Sequence, residues 1–220
     1  MTARYDSRRY ALINRWNPRN LEIIRDWVAP APGDKVLDVG CGRGHVVKAL
    51  NERGVDCIGI DLNPNAADVA VDPKVRTMSA TNLEFEDDVF DSVVSFHAIE
   101  HIPPVEDALN EIARVVKPSG KVLLVYPAEP IRGLFAIPTS VILHRSPFKA
   151  RQVHIHKFTP RTLAARAATA GLREVKAKLR LWPWPEYASL FQDAGRRRGS
   201  HHSNGRQFGE PPGTESPGAP

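Results

Sequence analysis

Glycines and carboxylates are grouped at the end of the first strongly apolar segment of the chain. Residues 36–39 read VLDV and run directly into GCGRG at 40–44, and Asp61 ends the next apolar segment. Glycines after a strand let the backbone turn tightly and approach a ligand closely. A carboxylate at the end of the following strand accepts hydrogen bonds from both hydroxyls of a ribose. The pattern predicts a nucleoside-binding turn, and a plain turn with a surface acid is the alternative.

The spacing of the glycines distinguishes between classes of nucleotide ligand. A dinucleotide dehydrogenase uses Gly-x-Gly-x-x-Gly, whereas this turn reads Gly-x-Gly-x-Gly and Asp38 precedes its first glycine by two positions. An acid beside the turn suits a ligand with positive groups better than a pyrophosphate, which binds N–H donors. The turn therefore favours S-adenosylmethionine, which carries an ammonium and a sulfonium, over a nicotinamide cofactor.

A second group of reactive side chains follows a later apolar segment at 91–96. His97, Glu100 and His101 have i, i+3, i+4 spacing, which brings all three to one face if the segment begins as a helical turn. A histidine that titrates near neutrality can act as a general base for an acceptor. The same three residues, completed by His154 or His156, have the ligand types of a divalent-metal site. We predict catalytic roles and no metal, with a purely structural role as the further alternative.

Apolar segments alternate with helical patterns along most of the chain. This alternation is typical of right-handed βαβ units and a parallel sheet, and the nearly continuous apolar strands indicate helices on both faces. Thr159 and Pro160 predict the start of a late helix that Gly171 ends. The predicted strands are 35–39, 55–60, 75–78, 91–96, 121–126, an antiparallel edge strand at 175–181 and a short strand at 186–191, and the predicted helices include 18–28 and 104–116.

The composition excludes several classes of protein. The 220 residues are 42% apolar, and no apolar run reaches the roughly 18 residues that a transmembrane helix needs. The chain has two cysteines, Cys41 and Cys57, so neither a disulfide framework nor a cysteine-based zinc site is expected. These features predict a globular protein in the reducing cytoplasm.

The segment 127–158 interrupts the alternating pattern and is expected to cover the substrate. It combines prolines, an apolar stretch at 134–143 and basic residues. It predicts a lid that lines an apolar pocket, packs on the sheet edge, or contacts a membrane surface through residues 131–151. We expect Tyr126, His144, His154 and His156 to contact the acceptor. The stretch from 195 to 220 has the composition of a disordered tail.

Four motifs together resemble the class I S-adenosylmethionine-dependent methyltransferases of the type 11 family. They are VLDVGCGRG at 36–44, GIDLNP at 59–64, NLEFEDDVFDSVVSFHAIEHI at 82–102 and EIARVVKPSGKVLLVYP at 111–127. The resemblance implies an α/β, Rossmann-like fold with a mostly parallel seven-stranded sheet. It also implies a helical cover at 1–32 and a methyltransferase domain at 33–194.

The resemblance also implies roles for individual residues in holding S-adenosylmethionine. Asp38 and Gly40 would hold the methionine part, Asp61 the ribose, and Leu62 and Ser79 the adenine. Many relatives have Asp where this chain has Ser79, which makes the adenine contact weaker here. The full expected set is Asp38, Gly40, Cys41, Gly42, Gly44, Asp61, Leu62, Ser79, Ala80, Phe96 and His97.

The sequence thus predicts transfer of a methyl group from S-adenosylmethionine to a small-molecule oxygen, nitrogen or carbon acceptor, with S-adenosylhomocysteine as product. The basic, apolar segment at 127–161 suits a hydrophobic or anionic acceptor. The alternatives are an RNA or other nucleic-acid methyltransferase and a non-catalytic S-adenosylmethionine-binding protein. The basic segment has few aromatics, with Phe148 and Phe158 among its basic residues and Phe135 in its apolar stretch, which argues against nucleic acid. The sequence does not indicate an oligomeric state.

Overall fold

The computed structural model describes residues 17–128, 156–181 and 185–194. Most of the expected lid, including His144 and His154, and the expected tail at 195–220 lie outside the described residues. The proposed membrane contact at 131–151 lies outside them as well. The domain boundaries at 1–32 and 33–194 and the cytoplasmic location therefore stay predictions. Among the described residues, no helix is long and apolar enough to cross a membrane.

The described elements alternate between strands and helices through Pro127. In chain order they are α1 (Arg19–Ile23), a π-helical turn (Ile24–Val28), β1 (Lys35–Val39), α2 (His45–Asn51), β2 (Asp56–Asp61), α3 (Pro64–Asp68), β3 (Val75–Thr77), β4 (Phe90–Phe96), a 3₁₀ turn (Ile99–His101), α4 (Val105–Val115), β5 (Val116–Pro127), α5 (Pro160–Thr169), β6 (Leu172–Arg180) and β7 (Glu186–Asp193).

The described strands form one seven-stranded sheet in the order β3-β2-β1-β4-β5-β7-β6. The five strands from β3 to β5 are parallel, and β7 and β6 are antiparallel additions at one end. This arrangement confirms the predicted mostly parallel sheet and the antiparallel edge strand. The carboxyl ends of β2, β1 and β4 meet at one edge because these strands are parallel neighbours.

Two apolar cores lie on opposite faces of the sheet. Leu109 and Ile112 of α4 and Leu163 of α5 pack on one face, and Ile24 and Val47, from the π-helical turn and α2, pack on the other. All five side chains are buried. Burial on both faces explains the continuous apolar strands, and it leaves the strand ends as the places where polar side chains can collect.

Several element boundaries differ from the sequence predictions. The first helix changes to a π-helical turn at Ile24, and α3 was not predicted because a single turn carries no periodic signal. β7 is longer than expected and lies between β5 and β6. The predicted start of α5 is confirmed, since Thr159 caps it and exchanges hydrogen bonds with Thr162.

Candidate functional site

The glycine turn between β1 and α2 is packed tightly against the segment that follows β4. Gly40 has φ +74°, and a Cβ built on it would overlap the Cβ of Ala98. Its N–H donates to the carbonyl of Ile60 at 2.8 Å. A residue with a side chain would be strained here by its backbone and blocked by its neighbour. The contact also places the turn directly beside the His97–His101 segment.

Asp61 ends β2 and is held by backbone donors from both sides. Its Oδ2 accepts from the N–H of Gly42 at 2.9 Å, and its Oδ1 accepts from the N–H of Asn63 at 2.9 Å. Burial raises the pKa of Asp61, and these two hydrogen bonds oppose that effect. The carboxylate is therefore fixed in orientation at the carboxyl end of its strand, where a ribose ligand would be bound.

Asp38 is an almost fully buried acid of the site. Only 2% of the residue is exposed. Burial, with a smaller contribution from the charge of Asp61, raises the pKa of Asp38 to about 8. A cation placed against this carboxyl group would favour its ionised form, since opposite charge lowers the pKa of an acid. The site therefore suits a ligand that carries positive charge.

The residues expected around an adenine lie beside the ends of β2 and β3. Leu62 follows Asp61, and 73% of it is exposed. The Oγ of Ser79 accepts from the N–H of Thr81 at 3.2 Å and shares a hydrogen bond with its hydroxyl at 2.8 Å. Ala80 packs into the core. Leu62 therefore offers a flat apolar surface beside the ribose acid.

An arginine on α4 holds the loop that follows β3. Arg114 donates to the carbonyls of Leu83 and Phe85 and to both oxygens of Glu111, and Glu111 also accepts from the N–H of Leu83. These contacts join the loop after Ser79 to a helix of the core. This pair could not be predicted from the sequence, because nothing local in it links residue 83 to residue 114.

The other expected cofactor residues of the turn contribute mainly through packing and backbone. Burial raises the pKa of the Cys41 thiol well above its usual range, so this cysteine remains protonated. Gly42 and Gly44 both have positive φ. Phe96, the last residue of β4, is partly buried against the core on the α2 face.

His97, Glu100 and His101 are brought together around the Glu100 carboxylate. Oε1 of Glu100 lies 3.9 Å from Nδ1 of His97 and 3.8 Å from Nε2 of His101. The Glu100 side chain is 2% exposed, whereas His97 is 38% exposed. The three residues do not lie on one helical face, since His97 has φ +54° and the 3₁₀ turn begins only at Ile99.

Two charged residues that the sequence analysis missed complete this cluster. Oε2 of Glu186, at the start of β7, lies 2.9 Å from Nε2 of His97, and its Oε1 lies 2.9 Å from Nη1 of Arg180. Glu186 and Arg180 face each other on the β6–β7 pair. The one local feature that could have pointed to Glu186 is Pro185, because a proline is often found at the start of a strand.

Of the four expected acceptor contacts, Tyr126 and His156 lie among the described residues, and only Tyr126 is placed against the prediction. Tyr126 is fully buried, and its hydroxyl shares a hydrogen bond with that of Ser189 at 3.0 Å. We therefore do not retain Tyr126 as an acceptor contact, because its polar atom is engaged inside the core. His156 does lie near the cluster. Its backbone N–H donates to the carbonyl of Glu100, and its ring Nε2 lies 3.1 Å from the carbonyl oxygen of Ile102.

The metal alternative gains no support from the residues that the structure describes. Within them, no group of three histidine, cysteine or acidic side chains has an arrangement that could hold a metal ion. The ring of His97 is directed instead to Glu186.

Three features around the turn fit S-adenosylmethionine. Asp61 presents a carboxylate that backbone donors hold in a fixed orientation. Leu62 presents an exposed apolar side chain, and Asp38 is a buried acid whose charge a cation would stabilise. Asp38 and Gly40 would hold the methionine part, Asp61 the ribose and Leu62 the adenine.

Comparisons with known proteins agree with this geometry. The model of a methyltransferase domain family matches residues 5–177. A demethylmenaquinone methyltransferase of Mycobacterium marinum is 30% identical over 75% of this chain and 67% of its own length. A ubiquinone biosynthesis O-methyltransferase of Alkalilimnicola ehrlichii is 32% identical over 49% of this chain and 47% of its own length. The chain thus spans about half to two thirds of these curated relatives.

A solved structure shows the same fold. The S-adenosylmethionine-dependent methyltransferase of Methanosarcina mazei superposes with a TM-score of 0.63, covering 81% of this chain and 98% of that one at 18% identity. The sheet order, the glycine turn and the family match lead to one conclusion. The chain belongs to the methyltransferase domain family, with the class I fold and S-adenosylmethionine as its cofactor.

Proposed function

We propose that the protein moves a methyl group from S-adenosylmethionine to an oxygen, nitrogen or carbon atom of a small molecule that is hydrophobic or anionic. The observation that carries the proposal is the contact between Gly40 and Ala98. It joins the cofactor turn to the segment that holds His97 and Glu100. A cofactor on the turn and an acceptor beside His97 would therefore be neighbours.

The chemistry required of the chain is mainly alignment and proton handling. The sulfonium of S-adenosylmethionine supplies an activated methyl group when the cofactor is bound. The chain holds the acceptor in line, excludes water and accepts a proton from a hydroxyl or amine acceptor. Of His97, Glu100 and His101, His97 is the most exposed side chain, so we assign proton uptake to His97.

A cleft at the end of β6 supports a hydrophobic or anionic acceptor. It has a volume of about 500 Å³ and is lined by Arg19, Glu22, Lys178, Leu179, Arg180 and Leu181. Arg180 joins the cleft to His97 through Glu186. The cleft is largely open to solvent, and three basic residues outnumber the one acid, Glu22, among the described residues of its lining. Basic and apolar side chains together suit an aromatic or isoprenoid-like body with an acidic group. The names of the two curated relatives, which refer to ubiquinone and demethylmenaquinone, favour phenolic or quinone-type acceptors.

The test is methyl transfer to a panel of acceptors with labelled S-adenosylmethionine. The panel contains catechol-type phenols, reduced naphthoquinones, aromatic carboxylic acids and single-stranded RNA. We expect transfer to at least one phenolic or quinol acceptor and none to RNA. Transfer to RNA alone would replace the small-molecule proposal with the nucleic-acid alternative. Cofactor binding without any transfer would favour the non-catalytic alternative.

Two histidine variants test the assignment of proton uptake. His97→Ala should lower kcat by about 10²-fold or more, a typical value for loss of a general base. His101→Ala should lower it less, because His101 reaches the site only through Glu100. His101→Ala should bind S-adenosylmethionine as the unmodified protein does. A larger loss for His101→Ala than for His97→Ala would contradict the assignment.

A further inference from the structure

Glu186 is a buried carboxylate whose two oxygens serve two different partners. Its side chain is 4% exposed. Oε2 lies 2.9 Å from Nε2 of His97, and Oε1 lies 2.9 Å from Nη1 of Arg180, whose own side chain is 15% exposed. Burying a carboxylate is costly unless it is paired and hydrogen-bonded. Here Oε2 is hydrogen-bonded to His97, and Oε1 is ion-paired with Arg180 without hydrogen-bond geometry.

The position of Glu186 in the sheet explains how it reaches the site. It is the first residue of β7 and pairs with Pro127, the last residue of β5. β5 in turn lies beside β4, and the N–H of His97 donates to the carbonyl of Val125 at 2.8 Å. The carboxylate of Glu186 therefore lies at the edge of the sheet where the parallel strands end, although it belongs to an antiparallel strand.

The contact determines which nitrogen of His97 carries the proton. An ionised Glu186 accepts only, so Nε2 of the neutral ring must donate. Nδ1 is then the nitrogen that can take up a proton. It is shielded from solvent and lies 3.9 Å from Oε1 of Glu100, beyond hydrogen-bond distance. The left-handed backbone of His97, with φ +54°, holds the other end of the side chain.

We propose that Glu186, held in place by Arg180, is a positioning residue that keeps the proton of neutral His97 on Nε2, so that Nδ1, which faces Glu100, is the nitrogen that takes up a further proton. Arg180 contacts the second oxygen of the carboxylate, which limits the rotation of the Glu186 side chain. The catalytic part of the inference rests on the proposed function, whereas the proton position on His97 does not.

The proton position is measured by nitrogen NMR of histidine-labelled protein, without cofactor or acceptor. Spectra are recorded at about pH 9, above the ordinary range of imidazole titration. His97→Asn identifies the signals of residue 97. We expect the Nε2–H tautomer to dominate for His97, and Glu186→Gln to give a mixture or the Nδ1–H form. A mixture in the unmodified protein, or an unchanged tautomer in Glu186→Gln, would overturn the proposal.

Kinetics with an accepted substrate test the catalytic consequence. Glu186→Gln should lower kcat by about 10²-fold, with KM and the Kd of S-adenosylmethionine changed by less than about threefold. Glu186→Asp, which retains the charge, should recover part of the loss. An unchanged Kd shows that the variant is folded. Full kcat in Glu186→Gln, while His97→Ala is inactive, would overturn the positioning role.

The two proposals fail in different ways. If His97→Ala retains full activity, proton uptake by His97 is wrong. The assignment of the His97 proton to Nε2 would then still be tested by the NMR measurement alone. If the tautomer is mixed while His97→Ala is inactive, the role of Glu186 is wrong and the proposed base remains.

Discussion

At the scale of single residues, the protonation of Asp38 is the feature most open to measurement. Burial raises its pKa to about 8, well above the ordinary value for aspartate of about 3.9. The folded, ligand-free protein therefore holds a proton on Asp38 near neutral pH that the unfolded chain does not hold. Binding of a cationic cofactor should release this proton, because the cation stabilises the carboxylate.

We predict that the affinity for S-adenosylmethionine rises with pH between about pH 6 and pH 8. The rise should approach about tenfold per unit while the pH stays below the pKa of Asp38, since one proton leaves on binding. Calorimetry in buffers of different ionisation enthalpy should detect this proton. Asp38→Asn should bind with no such pH dependence. A buffer-independent enthalpy in the unmodified protein would contradict the assignment.

The same raised pKa predicts a trend in stability without cofactor. The native state binds more protons than the unfolded chain between about pH 4 and pH 8, so the free energy of unfolding should fall as the pH rises through this range. Asp38→Asn should show a flatter profile, measured by urea unfolding at several pH values. An equal pH dependence of the free energy of unfolding in both proteins would show that groups other than Asp38 determine it.

Asp61 is the second residue with a direct test. Asp61→Ala removes the carboxylate that would accept from the ribose, and a hydrogen bond with a charged partner contributes about 1.5–3 kcal/mol. The Kd of S-adenosylmethionine should therefore rise by about 10-fold to 10²-fold. Asp68→Ala is the matched control, because it removes an exposed acid of the neighbouring helix α3. Equal Kd values for the two variants would refute the ribose role.

At the scale of elements, the turn between β1 and α2 depends on close packing against the segment after β4. Gly40→Ala should lower Tm and weaken cofactor binding, because the new Cβ meets both a positive φ and the Cβ of Ala98. Ala98→Gly in the same chain should restore part of the loss by removing the overlap while leaving the backbone strain. Gly33→Ala is the control, since it also has positive φ but open space around it. A smaller effect for Gly40→Ala than for Gly33→Ala would contradict this packing.

Elements with strong local signals were predictable from the sequence, and the contacts between distant elements were not. The apolar runs at 35–39 and 91–96 correspond to β1 and β4, and Thr159 caps α5 as expected. Asp61 lies at the end of β2, as its position after an apolar run indicated. These features depend on local periodicity and capping.

The link from His97 to Glu186 and Arg180 depends instead on how the last two strands join the sheet. β7 inserts between β5 and β6, which brings residue 186 within reach of residue 97. No local pattern indicates that order. Tyr126 was expected at the site because it lies near the end of β5, and that prediction was wrong. The alternation of side chains along the strand places its side chain in the core instead.

At the scale of the whole molecule, the sheet organises the site by bringing strand ends to one edge. The carboxyl ends of β1, β2 and β4 contribute Asp38, Asp61 and Phe96, followed by His97. The antiparallel pair contributes Glu186 and Arg180 from the other side. One edge of the sheet thus carries both the candidate cofactor residues and the candidate proton acceptor.

The most direct test of this account is calorimetric titration with S-adenosylmethionine, with NADH as the control ligand. The account predicts binding of S-adenosylmethionine with a micromolar Kd, release of a proton near neutral pH and no binding of NADH. Binding of NADH instead, or S-adenosylmethionine binding that Asp61→Ala and Asp38→Asn leave unchanged, would contradict the assignment of this edge of the sheet as the methyltransferase site.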